Sequence, residues 1–162
     1  MDSIKYHYQN ILTGNFKTWG TGRGNLWMVS AKIIKENPLL GVGLGGYQDT
    51  MSREIYNATG GKPRQAHNLY LAIATENGII GLIVFLILVF SIMTKLLIEL
   101  KKLFIWDTKF AYIGCSIFLS LFSILFQSMF LDTQRDKYLW LLLAIASIFV
   151  FLSPSIIQDK KS

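Results

Sequence analysis

Hydrophobic residues are concentrated in the second half of this chain, in three long runs separated by short polar stretches. The three runs cover residues 78–94, 110–131 and 138–157, and none of the three contains a charged side chain. About 20 apolar residues suffice to cross the ~30 Å hydrocarbon core of a membrane as a helix. We therefore predict three transmembrane helices near 78–98, 110–131 and 138–157, and an all-α membrane protein.

Composition supports this prediction. Of the 162 residues 52% are hydrophobic and 16% are charged, whereas roughly 25% are charged in an average soluble domain. The net charge of +6 comes from dispersed cations, many of them beside the apolar runs, where they set topology and contact anionic lipid. Nucleic acid is thus not an expected partner, whereas membrane lipid is. The single Cys115 cannot form an internal disulfide.

Basic residues near the ends of the apolar runs predict the orientation of the chain. One side has six and the other has four: Lys95, Lys101, Lys102, Lys109, Lys160 and Lys161, against Lys62, Arg64, Arg135 and Lys137. The positive-inside rule places the 99–109 loop and the short tail in the cytoplasm and residues 1–77 outside. Because no signal sequence precedes this external region, we expect further helices upstream, so that the chain is the C-terminal piece of a larger polytopic protein.

Within residues 1–77 the pattern predicts an amphipathic helix near 25–36. Its apolar side carries Leu26, Trp27, Ile33 and Ile34, and its polar side carries Lys32, Lys35 and Glu36. Pro38 should end the helix, because the residue before a proline is disfavoured in the helical conformation. We interpret this helix as lying on the membrane surface.

Three glycines follow, Gly41, Gly43 and Gly46, in the spacing G-x-G-x-x-G. The dinucleotide-binding version of this motif needs a preceding strand and an acidic residue ~20 positions later, and neither is present. We therefore expect a tight turn whose glycines allow close packing or close approach of a substrate.

The sequence pattern next predicts a helix near 65–77 that continues into the first membrane span. On a 3.6-residue period one face would contain His67, Leu71, Ala74, Gly78 and Gly81. The small residues of this face would let another helix approach closely. His67 would then point toward neighbouring protein and not toward lipid.

Four short segments precede or enter the first apolar run in a fixed order. They read Gly22-Arg23-Gly24-x-x-Trp27, Asn37-Pro38-Leu39-Leu40-Gly41-Val42-Gly43-Leu44-Gly45, Ala66-His67-Asn68-x-Tyr70-Leu71 and Glu76-x-Gly78-x-x-Gly81. Taken together, over roughly residues 20–95, they resemble the O-antigen ligase and O-antigen polymerase family.

The resemblance implies a multi-pass glycosyltransferase of the cytoplasmic membrane that uses no metal ion and no cofactor. Members of the family transfer a glycan from undecaprenyl pyrophosphate, on the outer face of the membrane, to an acceptor sugar. Ligases deliver it to lipid A-core, and polymerases extend another lipid-linked glycan; the sequence leaves the two open. By this resemblance His67 corresponds to the essential histidine of the external loop, and Arg23 to the loop arginine that precedes a tryptophan.

The residue types fit that chemistry. An acceptor hydroxyl loses a proton as it attacks, and an imidazole with a pKa near 6.5 can accept it. Arg23, helped by Arg64 or Arg53, could bind the departing pyrophosphate through charge-assisted hydrogen bonds, with N–H donors from a helix start at Asn25. Asn68, beside His67, is a further candidate for substrate binding. The catalytic candidates are thus His67 and Arg23.

No Asp-x-Asp and no His/Cys cluster at metal-ligand spacing occurs in the sequence, so we predict no metal site. The alternative to an enzyme is a non-catalytic membrane module, such as a truncated remnant or a transporter half, that packs through Ala74, Gly78 and Gly81. That alternative predicts that Gly81→Leu disrupts assembly and that His67→Ala is silent.

Overall fold

The computed structural model describes residues 23–50, 67–131 and 137–159, and every long element within these ranges is helical. In chain order the helices are α1 (Arg23–Glu36), α2 (Leu69–Trp106), α3 (Thr108–Gln127) and α4 (Lys137–Asp159). A short helical stretch also covers residues 46–50. The prediction of an all-α protein is confirmed for the described part of the chain, which contains no strand.

Three of the helices, α2, α3 and α4, are long and apolar enough to cross a membrane. In the most apolar 18-residue window of each, at most 28% of the residues are buried within the protein. The remaining side chains face outward, which is the arrangement expected of helices surrounded by hydrocarbon. The prediction of three spans is therefore confirmed, and the chain is an integral membrane protein.

The turn between α2 and α3 differs from the prediction. Helix α2 continues to Trp106, and Asp107 alone separates it from α3, so most of the predicted 99–109 loop is helical. Asp107 makes this short turn possible, because its Oδ1 accepts a hydrogen bond from the N–H of Phe110 at 3.1 Å and caps α3. The charged and polar residues of this stretch were interpreted as a loop, whereas residues 99–106 belong to α2.

The described chain divides into two compact units, residues 1–82 and 83–162. In the second unit α3 packs against α4. Gly114 allows the close approach, since a Cβ there would lie 2.6 Å from side-chain atoms of both Leu100 and Phe149. The rings of Phe110 and Phe149 stack with centroids 4.9 Å apart. This part of the core is thus a glycine contact beside a stacked aromatic pair.

In the first unit α1 contributes one apolar face to a small core. Leu26, Val29 and Ile33 are buried together with Tyr47, which belongs to the helical stretch at residues 46–50. Positions 26, 29 and 33 follow the helical period, so a single stripe of α1 is covered. The interpretation of α1 as a helix resting its apolar side on the membrane is wrong for this stripe, because protein side chains already cover it.

Candidate functional site

The site is built around the first residues of α2. Asn68 caps this helix: its Oδ1 accepts a hydrogen bond from the N–H of Leu71 at 3.0 Å, and its carbonyl accepts one from Ala72 at 3.0 Å. An N-cap residue has a non-helical backbone and satisfies N–H groups of the first turn. The helix consequently begins at Leu69 and not at residue 65.

His67 stands directly before this cap. It is the one described non-glycine residue with a positive φ, 49°, and it is half-buried. Histidine reaches this left-handed region more readily than most residues, but the conformation is still uncommon. Because Asn68 caps the helix, His67 lies outside the helix on whose face it was predicted. Periodicity failed here because it does not detect a cap.

Helix α2 is broken at Gly78, whose φ of 68° and ψ of −172° are not helical. Residues 69–77 therefore form a first helical segment of about 13 Å, at 1.5 Å per residue, and residues 79–106 form the second. A break of this kind leaves carbonyl groups of the first segment and N–H groups of the second without their usual helical partners. In the hydrocarbon of a membrane such groups are costly unless other donors and acceptors replace the lost partners.

A backbone clasp between residues 38–43 and residues 75–79 supplies those partners. The N–H of Val42 donates to the carbonyl of Thr75 at 2.9 Å, and the N–H of Gly43 donates to the carbonyl of Glu76 at 2.9 Å. In return, the N–H of Ile79 donates to the carbonyl of Pro38 at 2.9 Å. The loop after α1 thus satisfies backbone groups that the break in α2 exposes.

Two glycines make the clasp possible. A Cβ at Gly41 would lie 2.5 Å from the carbonyl oxygen of Thr75, and a Cβ at Gly78 would overlap the carbonyl group of Leu39. Both glycines also have a φ of 68°, which residues with a Cβ rarely adopt. Of the two explanations predicted for the glycine turn, close packing therefore accounts for Gly41. Gly78, predicted to admit another helix, instead admits this loop.

The clasp surrounds two polar side chains of α2. Thr75 is fully buried and its Oγ1 donates to the carbonyl of Leu71 at 2.7 Å. Glu76 is 4% exposed, so this carboxylate lies inside the protein and not at an open interface. A carboxylate this buried needs polar partners in the folded protein. The last residues of the first α2 segment therefore bury two polar side chains, and these residues directly precede the apolar run.

The arginines predicted to bind pyrophosphate are described only in part. Arg23 is the first residue of α1, two positions before the predicted start at Asn25, and its side chain lies outside the described part. Arg53 and Arg64 both lie outside the described residues. The first turn of α1 contains no acidic residue, and this end of a helix has a partial positive charge.

All four segments that carry the family resemblance have residues in the same unit. One residue from each of the first three segments packs against the small core that was described for α1. These residues are Trp27, Val42 and Leu71, in that order. The fourth segment joins the second through the clasp. Four segments spread over residues 22–81 therefore converge at the first segment of α2.

Two features of this unit were not predicted. Tyr47 is 2% exposed, and its hydroxyl lies 3.2 Å from the Oγ of Ser30 in α1. The close approaches of Gly41 to Thr75 and of Gly78 to Leu39 were also missed, although both glycines stood in the segments singled out. Within the described residues, no group of three or more His, Cys, Asp or Glu side chains could hold a metal ion.

Comparison with known proteins assigns a family. A family model described as O-antigen ligase matches residues 2–86, which is 85 of the 162 residues. The chain belongs to the O-antigen ligase family. A search of curated proteins found no match. The O-antigen ligase match contains the whole of the clasp, the N-cap and His67. Membership in the O-antigen ligase family gives this membrane protein a ligase- or polymerase-like role in polysaccharide biosynthesis.

Proposed function

We propose that this chain transfers a glycan from undecaprenyl pyrophosphate to an acceptor sugar, with His67 as the general base. The donor would stand on the extracytoplasmic side of the inner membrane, where residues 1–77 would lie. The acceptor is a core glycolipid for a ligase and a second lipid-linked glycan for a polymerase. Whatever sequence surrounds this chain, the site proposed here uses residues of the matched range, 2–86.

The conformation of His67 is the observation that carries the proposal. Its φ of 49° costs free energy, of order 1–3 kcal/mol for a strained backbone residue, and such residues cluster at functional sites. His67 stands outside the helix, since the helix starts only after Asn68. A half-buried imidazole outside the helix can meet a hydroxyl group and accept its proton.

Asn68 supports this arrangement by fixing the helix start. Its side-chain oxygen is engaged with the N–H of Leu71, so we assign to Asn68 the positioning of His67 in addition to the predicted substrate binding. The cap sets where the helix begins and therefore where the preceding residue must leave the helical conformation. His67 therefore stands directly before the first segment of α2, residues 69–77, and the clasp holds the other end of that segment.

The leaving group needs positive charge more than it needs an acid, because the lipid pyrophosphate is already a stable anion. Arg23 would bind it by paired charge-assisted hydrogen bonds, assisted by Arg64 or Arg53. The start of α1 favours an anion for a second reason: Arg23 begins the helix and its first turn has no acidic residue. This arrangement stabilises charge as it develops on the leaving group.

The proposal is tested with substitutions that separate chemistry from structure. His67→Ala and Arg23→Ala should abolish glycan transfer while the amount of protein in the membrane stays unchanged. His67→Asn is the sharper variant, because asparagine tolerates a positive φ but cannot act as the base. It should keep the helix start and still abolish transfer. Matched controls are His7→Ala and Arg135→Ala, which should leave transfer intact.

The assay is a gel of surface glycans from cells that depend on this protein. A ligase defect removes glycan from the core, whereas a polymerase defect leaves single-unit products, so the gel also distinguishes the two activities. Normal glycan length and attachment in His67→Asn would exclude His67 as the base. Normal glycans in every variant, with disrupted assembly in Gly81→Leu, would favour the non-catalytic module.

A further inference from the structure

The loop between α1 and the helical stretch at residues 46–50 exposes three large apolar side chains. Leu39 is 61% exposed, Leu40 is 75% exposed and Leu44 is 82% exposed. The loop carries no charge: residues 37–48 contain neither an acidic nor a basic side chain. Neighbouring apolar side chains that remain uncovered usually mark a surface that contacts a partner or a membrane.

The clasp fixes the position of this loop along α2. The carbonyl of Pro38 accepts from the N–H of Ile79, and the backbone of Leu39 lies against Gly78. Gly78 and Ile79 are the residues of α2 at which the apolar run begins. The first two large side chains of that run, Ile79 and Ile80, are themselves 41% and 48% exposed. The leucines therefore extend the exposed apolar surface of a membrane helix at the level where it enters the bilayer.

We propose that Leu39, Leu40 and Leu44 form a membrane-inserted leucine loop, whose side chains lie among the outermost carbons of the lipid acyl chains. The partner is lipid because the loop is continuous with the first residues of a membrane-spanning helix and has no charge to desolvate. Lipid contact would also explain why apolar side chains point outward from a segment whose backbone is hydrogen-bonded to α2 through Pro38, Val42 and Gly43.

The consequence is a fixed depth for the start of the membrane span. Gly78 contacts the inserted loop and is followed directly by Ile79, which begins the exposed apolar surface of α2. The break in α2 at Gly78 would therefore lie at the membrane boundary. The first segment of α2, residues 69–77, then stands on the water side and holds His67 about 13 Å away along the helix at 1.5 Å per residue. This inference is independent of the reaction proposed above, since it uses only the clasp and the membrane span.

The test measures the depth of single nitroxide labels on the full chain in lipid nanodiscs. A Cys115→Ser background allows one cysteine at a time, at Leu40 or Leu44. Both side chains are exposed, so the labels disturb no packing. Lys32, exposed on α1, is the matched water-side control, and Ile87, 60% exposed on α2, is the hydrocarbon control. Collision rates with oxygen, which prefers hydrocarbon, and with a water-soluble nickel chelate report depth.

We expect labels at Leu40 and Leu44 to collide several times more often with oxygen than with the chelate, as at Ile87 but at a shallower depth. A chelate-dominated signal like that of Lys32 would overturn the proposal. Low collision rates with both reagents would also overturn it, because protein would then cover the loop. Dilution with unlabelled chain would show whether that protein is a second copy.

Discussion

Replacing Gly78 with alanine should open the clasp, which makes this substitution the most direct test of the architecture. An added Cβ would overlap the carbonyl group of Leu39, and the residue would have to keep a φ of 68° and a ψ of −172°. That backbone region is essentially restricted to glycine. The chain can relieve the overlap only by moving the loop of residues 38–43 away from α2.

The magnitude follows from what that movement breaks. Backbone strain costs about 1–3 kcal/mol, and each of the three hydrogen bonds of the clasp contributes about 0.5–1.5 kcal/mol. The clasp should therefore lose about 2.5–7.5 kcal/mol in Gly78→Ala. Gly43→Ala is the matched control, since Gly43 has a φ of 92° but open space at the Cβ position. It should cost only the strain, about 1–2 kcal/mol.

Amide hydrogen exchange of the full chain in nanodiscs measures this difference locally. In Gly78→Ala the N–H groups of Val42, Gly43 and Ile79 should exchange more than about 50-fold faster, because each 1.4 kcal/mol is a factor of ten. Gly43→Ala should accelerate the same amides by about 5- to 30-fold. Amides of α3 provide an internal reference that should not change.

Equal acceleration in Gly78→Ala and Gly43→Ala would show that backbone strain alone matters and that the close contact with Leu39 contributes nothing. Unchanged exchange in Gly78→Ala would refute the clasp itself. Gly41→Ala repeats the experiment from the other side of the contact, since its Cβ would lie 2.5 Å from the carbonyl oxygen of Thr75. It should behave like Gly78→Ala.

Two further predictions concern the helix start and the second unit. Asn68→Ala should lose about 1 kcal/mol of cap stabilisation and accelerate amide exchange at Leu71, whereas Asn68→Asp should retain the cap. Equal exchange rates in the two variants would contradict the capping role of Asn68. Gly114→Leu should lower the thermal unfolding temperature in detergent, because its side chain would be forced against Leu100 and Phe149 at a cost of about 1–3 kcal/mol or more. Ser116→Leu, at an exposed position of α3, is the control and should leave that temperature unchanged.

Much of the fold was predictable because it depends on local composition. Three uncharged apolar runs of sufficient length become membrane helices wherever the bilayer is the solvent. The end of α1 at Glu36 was likewise predictable, since Pro38 restricts the residue before it. The order of the four segments was enough to indicate the family to which the chain belongs.

For the candidate site, the sequence indicated residue types and not geometry. His67 could be selected because of the segment around it, but its left-handed backbone follows from the cap at Asn68, where a local hydrogen bond outweighs helical periodicity. The catalytic role of His67 and the roles of Arg23, Arg53 and Arg64 stay predictions. These roles are tested by measuring glycan transfer in the substituted proteins, which does not depend on where the helices begin and end.

The sequence by itself determined which parts of this protein enter the membrane, because hydrophobicity and run length are properties of contiguous residues. Only the tertiary structure decided that α2 breaks at Gly78 and that the loop from Pro38 to Gly43 satisfies the break. Those hydrogen bonds join residues more than 30 positions apart. Their formation depends on two backbones approaching closely in space, which no periodicity along the chain records.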